Sequence, residues 1–505
     1  MMKQRMQMLK SKENRVICLM ISALTLFYLY IFVLTPITMD RYYESFLDLK
    51  MQSSWRCVLM QGNWVLHSNL RILSNVFSII LDSNRYISAI AGAVMIAVWV
   101  SLAIRRISAP KLRVLVSFAC IASVILASNA MWTEVFLCAK TLYLSCVLLV
   151  IVFVEWMVNY YEDFSIKYTI WLLIVGLFWH ELVIFGMMAA CVGTLVVKIV
   201  SGEIQRKDFI VTGISTSLVI IDYYHTKRLA SFRMTDMHAP ILGGLYQLME
   251  HNLFIFLPIL MVLIDAVKRV GQKWQKNCLL FISVLNLCTF VALFYKWLEN
   301  QFLLIENKEL LIALKIGNIL YRACNKYYLF GLIMLDFGII AYIGMKRELK
   351  DIVLLSVVAA GEFFVGSIFF TTMVRTQVLW LFFIPMLIQI IDIAQMKSDG
   401  VLKKSLVVLV FVVVLGRGID MCRFVSDLHR IEAKNEMTIE NVRRQQLLSK
   451  WDYSKEVTLY RYPISGDGKK IWYDEIYEDS RSHQYQSVLK HYRLNDNTRI
   501  VYQDV

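Results

Sequence analysis

The chain returns repeatedly to apolar runs of close to twenty residues, and that recurrence limits what it can fold into more than any other feature. At 1.5 Å per helical residue, such a run matches the roughly 30 Å hydrocarbon core of a bilayer. A soluble chain of 505 residues has room for a core but no use for so many runs of this kind. Composition agrees: 58% of residues are hydrophobic, 18% are charged, and there are only 6 prolines. Mean hydropathy is +0.56. The expected fold class is an all-α polytopic membrane protein.

The formal net charge of +14 would suit a nucleic-acid partner, but its distribution argues against one. Basic residues cluster in short loops between apolar runs, the pattern of the positive-inside rule. The first apolar run is too long for the h-region of a signal peptide and lacks a small-residue cleavage site, so it is expected to remain as an anchor. The 10 cysteines show no paired spacing. Most, among them Cys18, Cys120, Cys138, Cys146, Cys191 and Cys288, sit in apolar runs as small hydrophobes, which points to neither a disulfide framework nor a zinc site.

Membrane helices are expected at about 15–37, 86–104, 112–130, 134–157, 168–179, 182–199, 208–224, 252–267, 278–296, 327–344, 352–370, 377–395 and 404–416. The stretch 168–199, "YTIWLLIVGLFWHELVIFGMMAACVGTLVVKIV", is too long for one perpendicular helix and short for two. Charge decides. With Lys3, Arg5, Lys10, Lys12 and Arg15 in the cytoplasm, "RRISAPKLR" also falls inside, and a hairpin at 168–199 keeps the later basic loops there. One long helix would turn them all outward. The result is about 13 crossings of the inner (plasma) membrane, a cytoplasmic N-terminus and an extracytoplasmic tail. A transmembrane domain at 1–416 then carries outer loops 38–85, 225–251 and 297–326, followed by an appendage at 417–505.

The first outer loop mixes Trp55 and Trp64 with apolar residues at helical spacing, which predicts helices in the headgroup layer. In the tail, "MTIENVRRQQLLSKW" has helical periodicity, while "EVTLYRYP" and "TRIVYQDV" alternate like strands, so a small α/β appendage is expected.

Candidate chemistry gathers on the outer face. Asp40 follows the first helix amid other charges, where a carboxylate can serve as a general base or help bind a divalent cation. A departing phosphate wants guanidinium forks, and the same face offers Arg41, Arg56, Arg71, Lys227, Arg228, Arg233 and Arg375. "FWHEL" places His180 and Glu181 at the hairpin tip, an expensive place for ionisable groups. Ile184 stands where a zinc protease needs its second histidine, so that reading is excluded. Trp132 beside Glu134 suits a sugar ring, stacking its face while accepting from its hydroxyls, although tryptophans are common at membrane interfaces. The polar stretch 222–240, "DYYHTKRLASFRMTDMHAP", is dense in hydrogen-bonding groups. Glu155, Asp336 and Glu362 fall in or near apolar helices. The chain has no P-loop, nucleophile elbow or dinucleotide fingerprint, so an enzyme on this face needs a substrate that is already activated.

This layout resembles the GT-C superfamily of integral-membrane glycosyltransferases, in particular bacterial members such as the O-antigen-modifying glucosyltransferases. The resembling features are "TPITMD" with Asp40 after the first helix, "HSNLR" with Asn69 and Arg71, the "MWTE" step, the "FWHE" break and the outer tail. The resemblance implies transfer of a sugar from a polyprenyl-phosphate donor to a cell-surface glycan or lipid-linked acceptor. Asp40 would be the catalytic carboxylate, and Arg41, Asn69, Arg71, Trp132, Glu134, His180, Glu181, Arg228, Arg233 and Arg375 would bind substrate. Arg41 replaces the second acid many relatives carry, and "NLR" stands where Gly-Arg is usual, which leaves the metal requirement open. A polysaccharide repeat-unit polymerase and a lipid-oligosaccharide flippase are the alternatives. The expected partners are the lipid-linked donor, the glycan acceptor and membrane lipids, with oligomeric state left open.

Overall fold

The computed structural model describes residues 12–35, 70–82, 84–104, helical positions 114, 117, 118, 120 and 125, 140–230, 256–301, 322, 324–346, 350–369, 400–452, 455–460, 489, 493–495 and 497–503. In chain order the elements are α1 (Lys12–Leu34), α2 (Ile72–Asp82), α3 (Arg85–Ile104), α4 (Lys140–Asn159), α5 (Ile166–Trp179), α6 (Glu181–Ser201), α7 (Arg206–Ala230), α8 (Phe256–Arg269), α9 (Lys273–Gln301), α10 (Lys326–Lys346), α11 (Lys350–Phe369), α12 (Gly400–Leu447), β1 (Glu456–Tyr460) and β2 (Arg499–Gln503).

Among the described residues, 6 helices are long and apolar enough to cross a membrane: those within α1, α3, α4, α6, α9 and α10. Six of the 13 expected crossings correspond to these helices. α5 and the apolar part of α11 are shorter, α7, α8 and α12 are not among the six, and most of 112–130 and all of 377–395 lie outside the described residues.

α6 is the hub. It packs against α4, α5, α7 and α11, and small residues on its faces permit the close approach that drives helix association in lipid. A Cβ at Gly193 would lie 3.1 Å from Leu354 and 3.3 Å from Val357, and one at Gly361 would lie 3.0 Å from Ala189. α5 and α6 fold back on one another, with Gly176 of α5 against Val183 and Met187 of α6. The expected hairpin is therefore present. α6 ends on Gly202, whose φ of +73° is the left-handed conformation that favours glycine.

α1 lies on α3, and α2 bridges α3, α4 and α5. α9 and α10 run antiparallel, tied at mid-length by Asn286 Nδ2–H to Asp336 Oδ1 (2.9 Å) and nearer one end by Thr289 and Tyr328 (2.9 Å). These pairings place Lys198, Arg206, Lys207, Lys273, Lys346 and Lys350 at one end of the bundle, and Arg71, Arg85, Lys140, His180 and Lys326 at the other.

α12 reads straight through position 416, where composition shifts. Met421 and Val425 are still buried in the bundle core, while Ile439 and Val442 join a second cluster with Val457, Leu459, Leu489, Leu494 and Ile500. Arg85 clasps this helix, donating to Val33 O (2.6 Å) and to Glu432 (3.0 Å). The two expected tail strands are β1 and β2, paired in parallel from Glu456↔Arg499 to Tyr460↔Gln503. Asn435 exchanges both amide hydrogen bonds with the Tyr460 backbone (2.9 and 2.8 Å), fixing the sheet to α12.

Candidate functional site

The break in the hairpin is a single residue. His180 is extended (φ −168°, ψ 149°); its N–H still donates to Gly176 O, closing α5, while its side chain caps α6. Nδ1 accepts from the Leu182 N–H at 3.2 Å. A ring nitrogen that accepts carries no proton, so the ring hydrogen resides on Nε2. The 3.2 Å approach of Nδ1 to Glu181 Oε2 is then proximity and not a hydrogen bond. An acid in the first turn of α6 also suits the positive end of the helix dipole.

Glu181 takes its hydrogen bonds from elsewhere. Arg71, immediately before α2, donates Nε–H to Oε2 (2.5 Å) and Nη2–H to Oε1 (2.8 Å), a bidentate fork across 110 residues of sequence. Glu181 is buried, and the Arg71 side chain keeps 28% of its exposure. Burial alone would lower the Arg71 pKa, but the charge and hydrogen bonds of Glu181 outweigh it and raise it above its usual value. Aromatic groups lie around the break. Tyr143 meets the His180 ring edge-on at 5.7 Å, Phe77 packs on Trp179, and Trp179 Nε1–H donates to Ser145 (3.0 Å).

Two further carboxyls border this cluster. Asp222 of α7 is 2% exposed and lies within electrostatic reach of Glu181 and Arg71; its Oδ2 makes no hydrogen bond. Glu362 of α11 is buried against α6, where a Cβ on Gly186 would come within 3.0 Å of Oε1, and neither of its oxygens meets a hydrogen-bond donor in good geometry. The Cys146 thiol lies within reach of Arg71, Glu181 and Glu362.

The opposite end of α4–α7 is also polar. Asp208 accepts from Lys198 (2.9 Å), the Tyr161 hydroxyl (2.9 Å) and the Gln205 N–H (2.7 Å). Glu162 pairs with Lys198 and, at 2.6 Å, with Lys207. Both ammonium groups also lie 4.9 Å from the Tyr161 ring centroid.

The structure thus brings together Arg71, His180 and Glu181. Asp40, Arg41, Asn69, Trp132, Glu134, Arg233 and Arg375 lie outside the described residues, and Arg228 falls in the last turns of α7 without a described side chain. Asp222 stands out in the sequence only as the first letter of a polar stretch; the sharper signal is a carboxylate closing the apolar run "SLVIID". Among the described residues no group of three or more His, Cys, Asp or Glu side chains could hold a metal ion. Comparison of the chain with protein-family models, with curated proteins and with solved structures gives no match.

Proposed function

We propose that this protein is a membrane glycosyltransferase that moves a sugar from a polyprenyl-phosphate-linked donor to a cell-surface glycan or lipid-linked acceptor. The observation carrying this reading is the buried Arg71–Glu181–His180 cluster at the break of the α5–α6 hairpin. Ionisable groups there are expensive and mark functional sites by default, and the cluster is built where the residue before α2 meets the break between α5 and α6. The gathering of lysines and arginines at the other end supports placing that end in the cytoplasm and the cluster outside. With 13 crossings the N-terminus is cytoplasmic and the tail extracytoplasmic.

In the proposed reaction an acceptor hydroxyl loses its proton to Asp40 as its oxygen attacks the anomeric carbon, and polyprenyl phosphate departs. The donor's own phosphate ester supplies the driving force. The test is the isosteric Asp40→Asn variant in proteoliposomes supplied with hexose-labelled polyprenyl phosphate and envelope glycan. Transfer should fall by roughly 10²–10⁴-fold, the worth of a general base, with insertion unchanged. Transfer at the wild-type rate would remove Asp40 from the mechanism.

One observation favours the flippase alternative. Asp336 and Glu362 are buried at mid-length of α10 and α11, and carboxyls at that depth are a mark of transport paths. Translocation of a fluorescent lipid-linked sugar in proteoliposomes without acceptor, abolished by Glu362→Gln, would establish that reading in place of transfer.

A further inference from the structure

The sequence casts Arg71 as a ligand for the donor phosphate, and the geometry points elsewhere. The Nε and Nη2 hydrogens of its guanidinium are both committed to one carboxylate in the bidentate arrangement a phosphate would need. A phosphate entering here would also meet Glu181 and Asp222 together, two acids beside one guanidinium. Like charges in such a low-dielectric space repel by far more than in water.

What the space lacks is hydrogen-bond donors. Asp222 is 2% exposed, its Oδ2 is without a partner, and it lies within electrostatic reach of the Arg71–Glu181 pair. A buried carboxylate oxygen left unsatisfied costs its full desolvation penalty, so a site that keeps one gains most from a ligand that brings hydrogens. The aromatic side chains nearby are already engaged, Tyr143 edge-on to the His180 ring and Trp179 with Phe77 and Ser145. A neutral ring bearing several hydroxyls meets the need for hydrogens, bringing them to Asp222 without adding a negative charge beside Glu181.

We propose that Asp222 and Glu181 form the sugar-recognition subsite of this protein, with Asp222 accepting from a ring hydroxyl and Arg71 holding Glu181 in place, and that the lipid phosphate is bound elsewhere. The proposal rests on the glycosyltransferase reading and narrows it.

The experiment measures binding to the full-length, detergent-purified chain of two probes, polyprenyl phosphate and the same lipid carrying glucose, galactose or mannose. Asp222→Asn should weaken the preferred hexose lipid by roughly ten- to a hundredfold, the worth of one charge-assisted hydrogen bond, and leave the bare lipid unchanged. Equal loss for both probes would place Asp222 at the phosphate and overturn the assignment, as would an unaltered hexose preference. A wild-type protein that binds no hexose lipid better than the bare one would remove the glycosyltransferase reading itself. Should the variant not fold, wild-type protein gives the same answer with monodeoxy hexose headgroups: one missing hydroxyl must reproduce the loss, and indifference to every hydroxyl overturns the proposal. Competition by ethanolammonium but not by free hexose would identify a cation site and overturn it equally.

Discussion

The two polar ends of the α4–α7 group are built from the same kinds of residue and differ in how they are completed. At the Lys198 end, Asp208 and Glu162 face Lys198 and Lys207, and the Tyr161 hydroxyl and the Gln205 N–H fill further acceptor sites. Acids and bases are matched, and the network is closed. At the His180 end, Glu181 consumes the Arg71 fork while Asp222 keeps an unsatisfied oxygen. Closure marks a joint, here the one that seats the α4–α5 turn on the start of α7. An open network with acceptors to spare marks a place where something else is expected to bind.

The largest effects should separate the two ends by kind. Glu181→Gln leaves Arg71 without its counter-charge and should lower stability by roughly 2–4 kcal/mol, below the fully buried figure because Arg71 is partly exposed. It should also depress sugar transfer per folded molecule at least tenfold. Lys198→Met strands Asp208 and should lower stability by a similar amount, roughly 2–4 kcal/mol, with transfer per folded molecule unchanged. Thermal unfolding in detergent beside a transfer assay reads both quantities. A Lys198 variant that is stable but inactive would abolish the distinction.

A smaller effect tests the space between the ends. Gly186→Ala places a Cβ 3.0 Å from both Glu362 Oε1 and Val150 Cγ2, so α6 must shift from α4 or α11. The expected loss is about 1–3 kcal/mol. Gly213→Ala in α7 meets no atom within 4 Å and should be neutral or gain up to about 1 kcal/mol from helix propensity. Unfolding midpoints of the two variants should move in opposite directions or differ clearly; equal shifts would contradict the packing around the hub.

The smallest effect is one of pH. Burial raises the Glu162 pKa, but hydrogen bonds from Lys198 and then Lys207, with their charges, outweigh it and hold it below 4.5. A depressed folded-state pKa contributes stability that is present above the unfolded value and lost as pH falls through the folded one. The unfolding temperature should therefore decline on acidification below about pH 4.5, and less so in Glu162→Gln. Because Glu162 is half exposed, solvent screens the effect. A pH slope identical in the variant would assign the acid sensitivity to other carboxyls.

Local features were legible in the chain and distant pairings were not. The hairpin is readable because charge sidedness requires an extra crossing and "WHE" interrupts an apolar run at the right place. Strands β1 and β2 show their alternation openly. The Arg71–Glu181 fork joins positions 110 residues apart, and neither residue carries a mark of the other in its neighbourhood. Lys198 reads as one more basic loop residue, although it is folded back into a buried network, because nothing in the linear order reveals that Asp208 and Glu162 converge on it. The run through Gly416, Arg417 and Gly418 looks like a domain boundary by composition; helical hydrogen bonding tolerates the glycines, and apolar residues at 421 and 425 keep the helix on the bundle.

That unbroken helix has a geometric consequence. The two hydrophobic clusters share α12 as a common axle, one ending at Val425 and the other beginning at Ile439, with Arg85 gripping Glu432 between them. An α-helix turns about 100° per residue, so the compass direction of the two-stranded sheet around the bundle is encoded in the number of residues between the clusters. Inserting one alanine there would swing the sheet by nearly a third of a revolution while lifting it about 1.5 Å. Inserting a whole turn, roughly four residues, would restore its bearing at greater height. The tail is thus aimed by residue counting, in the way a key is cut to one angle of its lock.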